Sequence, residues 1–295
     1  MSYALASDGT KLFYEVVGEG EPIVFVHEFA GSARSWGPQV RHFSRRFKCI
    51  VFNARGYPPS EVPEDVQAYS QAQAVRDVAS VMDAAGVQEA HVVGLSMGGF
   101  AALHFGLTFP ERALSLCVAG AGYGAEPDRR EQFRHEAKVC ADTLLDMGME
   151  AFAERYTQGP TRLPFKRDDP RGFAEFVDMM KTHSARGSAN TQLGVQRERP
   201  SLFDLQETLA TLTVPTLIVN GDEDWPCLAP GNMMKQVIPS AALLVLPNCG
   251  HTINLEYPAL FNAALDDLFA RVSSGRWPMR DAAAMANTIT GMSKG

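Results

Sequence analysis

Six short apolar runs do most to limit the folds open to this chain. They are PIVFV at 22–26, KCIVF at 48–52, HVVG at 91–94, LSLCVAG at 114–120, TLIVNG at 216–221 and ALLVLP at 242–247. Such continuous Val/Ile/Leu runs suit strands buried on both faces, in a parallel sheet covered by helices. The intervening chain supplies the helices. In SQAQAVRDVASVMDAAG, Val75, Val78, Ala79 and Met82 recur at helical spacing, and Gly86 suits the position that closes a helix. In PALFNAALDDLFARV, Leu260, Ala264, Leu268 and Val272 form a stripe four residues apart. The segment KLFYEVVG, 11–18, alternates like a half-buried strand. Strand and helix in alternation predict an α/β doubly wound sheet.

The alternation stops between about Gly122 and Leu209, where the pattern is helical, charged and rich in bulky apolar residues. A structureless stretch of that length is improbable inside a domain. Residues 122–209 therefore read as a helical cap over the C-terminal edge of the sheet, with the core domain at 1–121 and 210–272. Most of its apolar residues, such as Phe133, Phe152, Tyr156 and Phe176, are expected to form the cap's own core, and a few to face a ligand. The tail, 273–295, either frays or forms a short Ala-rich helix docked through Trp277 and Met279.

A net charge of −7 without a basic block argues against nucleic acid or an anionic membrane as partner. No window approaches the ~18 consecutive apolar residues of a membrane span, and MSYALASDGTKLFYEV lacks the layout of a signal peptide. Five scattered cysteines without CxxC spacing suggest reduced thiols, neither a disulfide frame nor a zinc site. The expectation is a soluble, cytoplasmic protein with no metal and no cofactor, able to form a homodimer through its tail.

The segment AHVVGLSMGGFAALHFG carries the chemistry. A buried strand runs into Gly94-Leu95-Ser96-Met97-Gly98, and a helical pattern starts at once. A G-x-S-x-G in that context makes a sharp turn that exposes a strained serine at a helix N-terminus. Serine needs a base, and the base needs an orienting acid, in the chain order Ser, acid, His. Of seven histidines, His251 alone follows the slot for the acid, in the loop after ALLVLP. TLIVNGDEDWP offers three acids: Asp224 is favoured because two residues must first turn the chain out of the sheet, Asp222 is second, and Glu223 suits a solvated turn.

GLSMGG, GDEDWP and GHTINLEYP, together with NARGYPPS at 53–60, resemble the α/β-hydrolase family, in its branch of small esterases, enol-lactonases and cofactor-free perhydrolases. The resemblance implies an eight-stranded, mostly parallel sheet with a helical cap, and a Ser96–Asp224–His251 triad. It also implies an oxyanion hole from the backbone N–H groups of Met97 and Phe29. Two departures stand out: Glu28 follows His27 where the family usually has Gly, and Asn53 replaces Asp. Asn53 and Arg55 suit bracing roles, and His27 suits a hydrogen-bonded structural one. Glu28 either pairs with an arginine such as Arg55 or lines the pocket floor, where it would disfavour anionic acyl groups or order the deacylating water.

Serine at the elbow, where dehalogenases and epoxide hydrolases of similar fold carry Asp, points to attack on a carbonyl. The expected function is hydrolysis of a small carboxylic ester or lactone through an acyl-enzyme. One alternative is C–C cleavage of a β-diketone-like substrate, for which Thr252 stands where an aromatic residue is usual. The other is a ligand-sensing receptor that retains the triad. Glu28, Trp225 and Thr252 are candidate pocket residues, and Arg130, Arg162, Arg167 or Arg186 could meet a substrate carboxylate.

Overall fold

The computed structural model describes residues 2–285. Its strands are β1 (Ser2–Leu5), β2 (Lys11–Val17), β3 (Glu21–Val26), β4 (Phe47–Phe52), β5 (Ala90–Leu95), β6 (Ala113–Ala119), β7 (Thr216–Gly221) and β8 (Ala241–Leu246). They form one eight-stranded sheet in the order β1-β2-β4-β3-β5-β6-β7-β8. β2 runs antiparallel to both neighbours, and every other pair is parallel. All six apolar runs are strands. β1 carries no readable period, because Ala4 is its one buried residue. Central β5 and β7 are buried along their whole length, whereas edge strand β8 is fully buried only at its two ends.

The helices are α1 (Gly37–Phe43), α2 (Gln71–Ala84), α3 (Met97–Thr108), α4 (Arg130–Tyr156), α5 (Leu163–Asp168), α6 (Pro170–Lys181), α7 (Ala185–Asn190), α8 (Gln206–Leu209), α9 (Trp225–Val237), α10 (Ile253–Glu256) and α11 (Pro258–Ser273). Successive residues of β3 serve opposite faces of the sheet, as strand geometry requires. Val24 and Val26 join a core with Val78 and Met82 of α2 and Phe100 of α3. Ile23 and Phe25 join another with Phe43 of α1 and Phe261 of α11. α2 begins where the Ser70 side chain accepts from Gln73 N, and it closes on Gly86 at φ 67°. In α11 the four-spaced stripe packs on the core at Ala264, Leu268 and Val272 but not at Leu260, and the buried face is wider than that one row. Phe261, Leu265, Leu268 and Phe269 are buried, while Leu260 is 48% exposed, because the two phenylalanines draw the helix onto the sheet.

Between β6 and β7 the chain leaves the sheet for α4 to α7. Gly148, at φ 79° and ψ 172°, breaks α4 into two segments. These helices share a third core containing Leu144, Phe152, Phe165, Phe176 and Met180, into which Phe29, Tyr57 and Met97 reach from the sheet's own loops. Leu202 and Leu209, inside the cap as bounded from sequence, instead pack in the core beneath the sheet. The tail docks beside β8. Trp277 Nε1 donates to Ser240 O (2.7 Å), and Arg280 donates to the Gln236 and Lys235 carbonyls. Met279, expected as an anchor, is 50% exposed; the guanidinium of Arg280 does that work by capping the end of α9. Residues 286–295, which the tail reading also included, lie outside the described residues.

Candidate active site

The turn between β5 and α3 is held in a shape few sequences tolerate. Ser96 sits at φ 55° and ψ −114°, in a region that L residues rarely adopt. The two glycines make this possible by close approach. A Cβ on Gly94 would lie 2.0 Å from Gly98 O, and one on Gly98 would lie 2.0 Å from Val26 O. Ser96 N donates to Ala119 O (2.7 Å), tying the turn to the end of β6.

The three acids after β7 take different positions. Asp224, buried, lies 2.6 Å from Nδ1 of His251 through Oδ2. Asp222 Oδ1 accepts from Cys249 N (3.2 Å) and so braces the histidine loop. Glu223 pairs with Arg167 at the surface (3.3 Å). The histidine loop is fastened further: both oxygens of Glu256 accept backbone N–H groups, from Gly250 and Thr252 (2.7 Å each). His251 N donates to Thr161 O of the cap (2.9 Å).

Cys227 lies close by. Its Sγ, a carboxylate oxygen of Asp224 and a ring nitrogen of His251 all fall within 4.8 Å of one another. That donor set suits a metal poorly. Burial, and then the Asp224 carboxylate, push the Cys227 thiol well up, so it stays protonated and donates to Gly120 O (3.3 Å).

Ser96 and His251 open into one cavity of about 290 Å³ under the cap, whose wall includes Phe133, Tyr156, Gln196 and Arg199. Several sequence expectations change here. Trp225 does not line the cavity; as the first residue of α9 it points outward and is 75% exposed, and Asp224 and Pro226 beside it line the wall. Glu28 pairs with Arg162 of the cap, not with Arg55. Arg162 Nη1 donates to Glu28 Oε1 (2.9 Å), and Nη2 makes a second, short bond to Oε2. Arg55 is already occupied by Asp77 (2.7 Å) and Asp8 (2.8 Å). Glu28 therefore presents no free charge to a pocket floor. Thr252 Oγ1 accepts from the same Arg162 (2.6 Å), so it belongs to this junction rather than to the lining. Burial alone would pull the Arg162 pKa down, but the adjacent Glu28 carboxylate raises it. Of the four arginines considered for a substrate carboxylate, Arg162 lines the cavity but is tied up. Arg130 bonds to the Gly124 and Arg199 carbonyls, Arg167 pairs with acids at the surface, and Arg186 is exposed. The lining arginine that sequence reasoning missed is Arg199, in QRERP, where no spacing or motif marks it.

The amides of Phe29 and Met97 are fixed through their peptide partners. The Glu28 carbonyl accepts from His27 Nδ1 (2.7 Å) and Gly31 N (3.0 Å). In a trans peptide the following N–H points the opposite way, so these bonds set the direction of Phe29 N–H. The Ser96 carbonyl accepts from Phe100 N (2.9 Å), which likewise aims Met97 N–H out of the start of α3. His27 Nε2 accepts from Ala54 N (3.0 Å), so the proton sits on Nδ1, and burial holds its pKa down at about 4. It is a neutral brace. Asn53, accepting from Ala33 N (2.8 Å) and donating to Pro58 O (2.7 Å), secures the same loop.

A serine at a positive-φ turn from strand to helix, lining one cavity with a bonded His–Asp pair from the loops after β8 and β7, is an arrangement that the α/β-hydrolase fold provides. Residues 21–258 match the family model described as alpha/beta hydrolase fold, and the chain belongs to that family. It is 30% identical over 272 residues to the putative carbamate hydrolase RutD of Azorhizobium caulinodans, covering 90% of this chain and 97% of the relative. It is 27% identical over 256 residues to 3-oxoadipate enol-lactonase 1 of Acinetobacter baylyi, covering 86% and 91%. The enol-lactonase structure from Burkholderia xenovorans LB400 shares the fold, with a TM-score of 0.77 at 24% identity, covering 91% of this chain and all of that one. Among the described residues, no helix is long and apolar enough to cross a membrane.

Proposed function

We propose that the protein is a serine hydrolase that cleaves a small carboxylic ester or lactone through an acyl-enzyme. The observation that carries this reading is Ser96, strained at the elbow, sharing a cavity with His251 while His251 is bonded to buried Asp224. With Nδ1–H given to Asp224, Nε2 of His251 is left to take the Ser96 proton. Ser96 Oγ attacks the carbonyl carbon, and the oxyanion is met by the Phe29 and Met97 amides, each such donor being worth ~10²–10³ in rate. His251 returns the proton to the leaving alkoxide. It then deprotonates a water that attacks the acyl carbon and frees Ser96. In a lactone the alkoxide belongs to the acyl chain itself, so it stays on the acyl-enzyme and the second step releases a single hydroxy acid. The hydrolase names of the relatives, one of them an enol-lactonase, agree with acyl transfer to water.

Turnover of p-nitrophenyl butyrate tests the reading. Ser96→Ala should lower kcat by ~10⁵–10⁶ and Asp224→Asn by ~10⁴, by analogy with triads whose members act as a unit. A Ser96→Ala protein that keeps a tenth or more of the activity would exclude Ser96 as the nucleophile.

A further inference from the structure

The cavity wall contains a cation with no counter-charge. Arg199 is 3% exposed, and no carboxylate among the described residues lies within ion-pair distance of it. The other buried arginines show what this chain ordinarily does: Arg55 has Asp77 and Asp8, and Arg162 has Glu28. Arg199 instead sits between two aromatic rings, its guanidinium carbon 3.7 Å from the centroid of Phe100 and 4.9 Å from that of Phe133. Such faces offset part of the cost of burying a cation, but they leave its planar edge free to donate.

Its donors are only partly used. Nη1 donates to Gln196 Oε1 and Nη2 to Tyr123 O (2.6 Å), and Nε has no partner. These account for two of the five N–H groups of a guanidinium. Burial, and then the nearby Arg130, pull its pKa down to about 9, which leaves it charged at neutral pH. The residues ahead of it form a π-helical stretch, Thr191–Gln196, from which Gln192 and Gln196 also line the cavity. Because Gln196 Oε1 accepts from Arg199, its amide NH₂ is left to donate elsewhere. Glu136, the remaining acid of the lining, is engaged by the Tyr123 hydroxyl and Gln132.

We propose that Arg199, with the Gln192 and Gln196 amides, forms an anion subsite facing Ser96, and that the substrate is an ester or lactone carrying a carboxylate on its acyl part. This rests on the reading of Ser96 as the acylated residue. A carboxylate suits the subsite because its two oxygens match a guanidinium edge, and because it supplies the charge that Arg199 lacks.

The test compares mono-p-nitrophenyl glutarate with p-nitrophenyl valerate, acyl groups of equal length that differ at the far end. The proposal expects kcat/KM to favour the glutarate ester in the natural protein. Arg199→Gln should lower the ratio of the two kcat/KM values by about 30- to 100-fold, the scale of a lost charge-assisted pair. An unchanged ratio, with the variant folded by circular dichroism, would overturn it. Should Arg199→Gln not fold, the natural protein still decides: succinate, glutarate or adipate should inhibit valerate-ester turnover competitively while the matching diamide does not. Equal inhibition by acid and diamide, or by neither, would reject the subsite. The two readings fail separately. Ser96-dependent hydrolysis of the valerate ester without preference for the anion defeats the subsite alone. If neither ester is turned over, the serine reading fails. The subsite then stands or falls on whether these dicarboxylates raise the Tm of the natural protein and not that of Arg199→Gln.

Discussion

Glu28 and Arg162 meet across the seam between sheet and cap, both almost fully buried. Each neutralises the other, and Arg162 also holds Thr252 beside His251, so one guanidinium joins the Phe29 loop, the histidine loop and the cap. Removing one partner of such a pair leaves an unpaired buried charge, which typically costs about 3–5 kcal/mol. Glu28→Gln should therefore lose about 3 kcal/mol in urea unfolding, and adding Arg162→Met should recover much of it; a Glu28→Gln loss below ~0.5 kcal/mol would contradict the pairing. His27 acts at the same scale but through geometry. His27→Ala should lower kcat by about 10- to 100-fold with a smaller change in KM, because the Phe29 amide loses the bond that aims it. Steady-state kinetics on p-nitrophenyl butyrate would show the split. The sequence nominates Ser96, Asp224 and His251 because each sits in a motif at the end of an apolar run, and the fold brings all three to the wall of one cavity. The pairing of Arg162 with Glu28 and the place of Arg199 beside Phe100 carry no such mark, since these partners lie far apart in sequence and only the folded cap brings them together.

At the scale of elements, the turn from β5 into α3 is the most constrained piece of backbone. A Cβ on Gly98 meets the carbonyl of Val26 rather than a side chain that could move aside. Gly98→Ala must push β3 and the turn apart, so we expect insoluble or at least 3 kcal/mol less stable protein, as for other overpacked or strained sites. Measured solubility and a urea midpoint close to the parent's would contradict this. The strands were readable because central parallel strands bury both faces and so appear as unbroken apolar runs. The cap's helices were readable as helices, but their boundary was not. Leu202 and Leu209 look like cap residues in a one-dimensional pattern and pack under the sheet in three dimensions. The α11 stripe is incomplete for a related reason. Its buried face is wider than a single row and includes Phe261 and Phe269.

For the whole molecule, buried histidines couple stability to pH. Burial holds the pKa of His27 and His104 at about 4 and that of His183 at about 3, and it lowers that of His91. Each is neutral when folded and titrates near ~6.5 when unfolded. Between about pH 6.5 and 4 the unfolded chain binds more protons, so stability falls as pH drops through that window and is fully present above it. The Tm should decline steeply from pH 6.5 to 4.5. His183, whose two ring nitrogens lack partners, is the position where His183→Phe should flatten the decline. An unchanged slope would assign the acid sensitivity elsewhere. The same molecule places Ser96, His251 and Asp224 where sheet loops and cap converge, and the proposed mechanism requires that this convergence make Ser96 nucleophilic. Intact-mass spectrometry after treatment with an alkyl fluorophosphonate tests that most directly. A single adduct mapping to Ser96, absent in Ser96→Ala and formed far more slowly in His251→Ala, is the predicted result. No adduct, or one on another residue, would contradict the account.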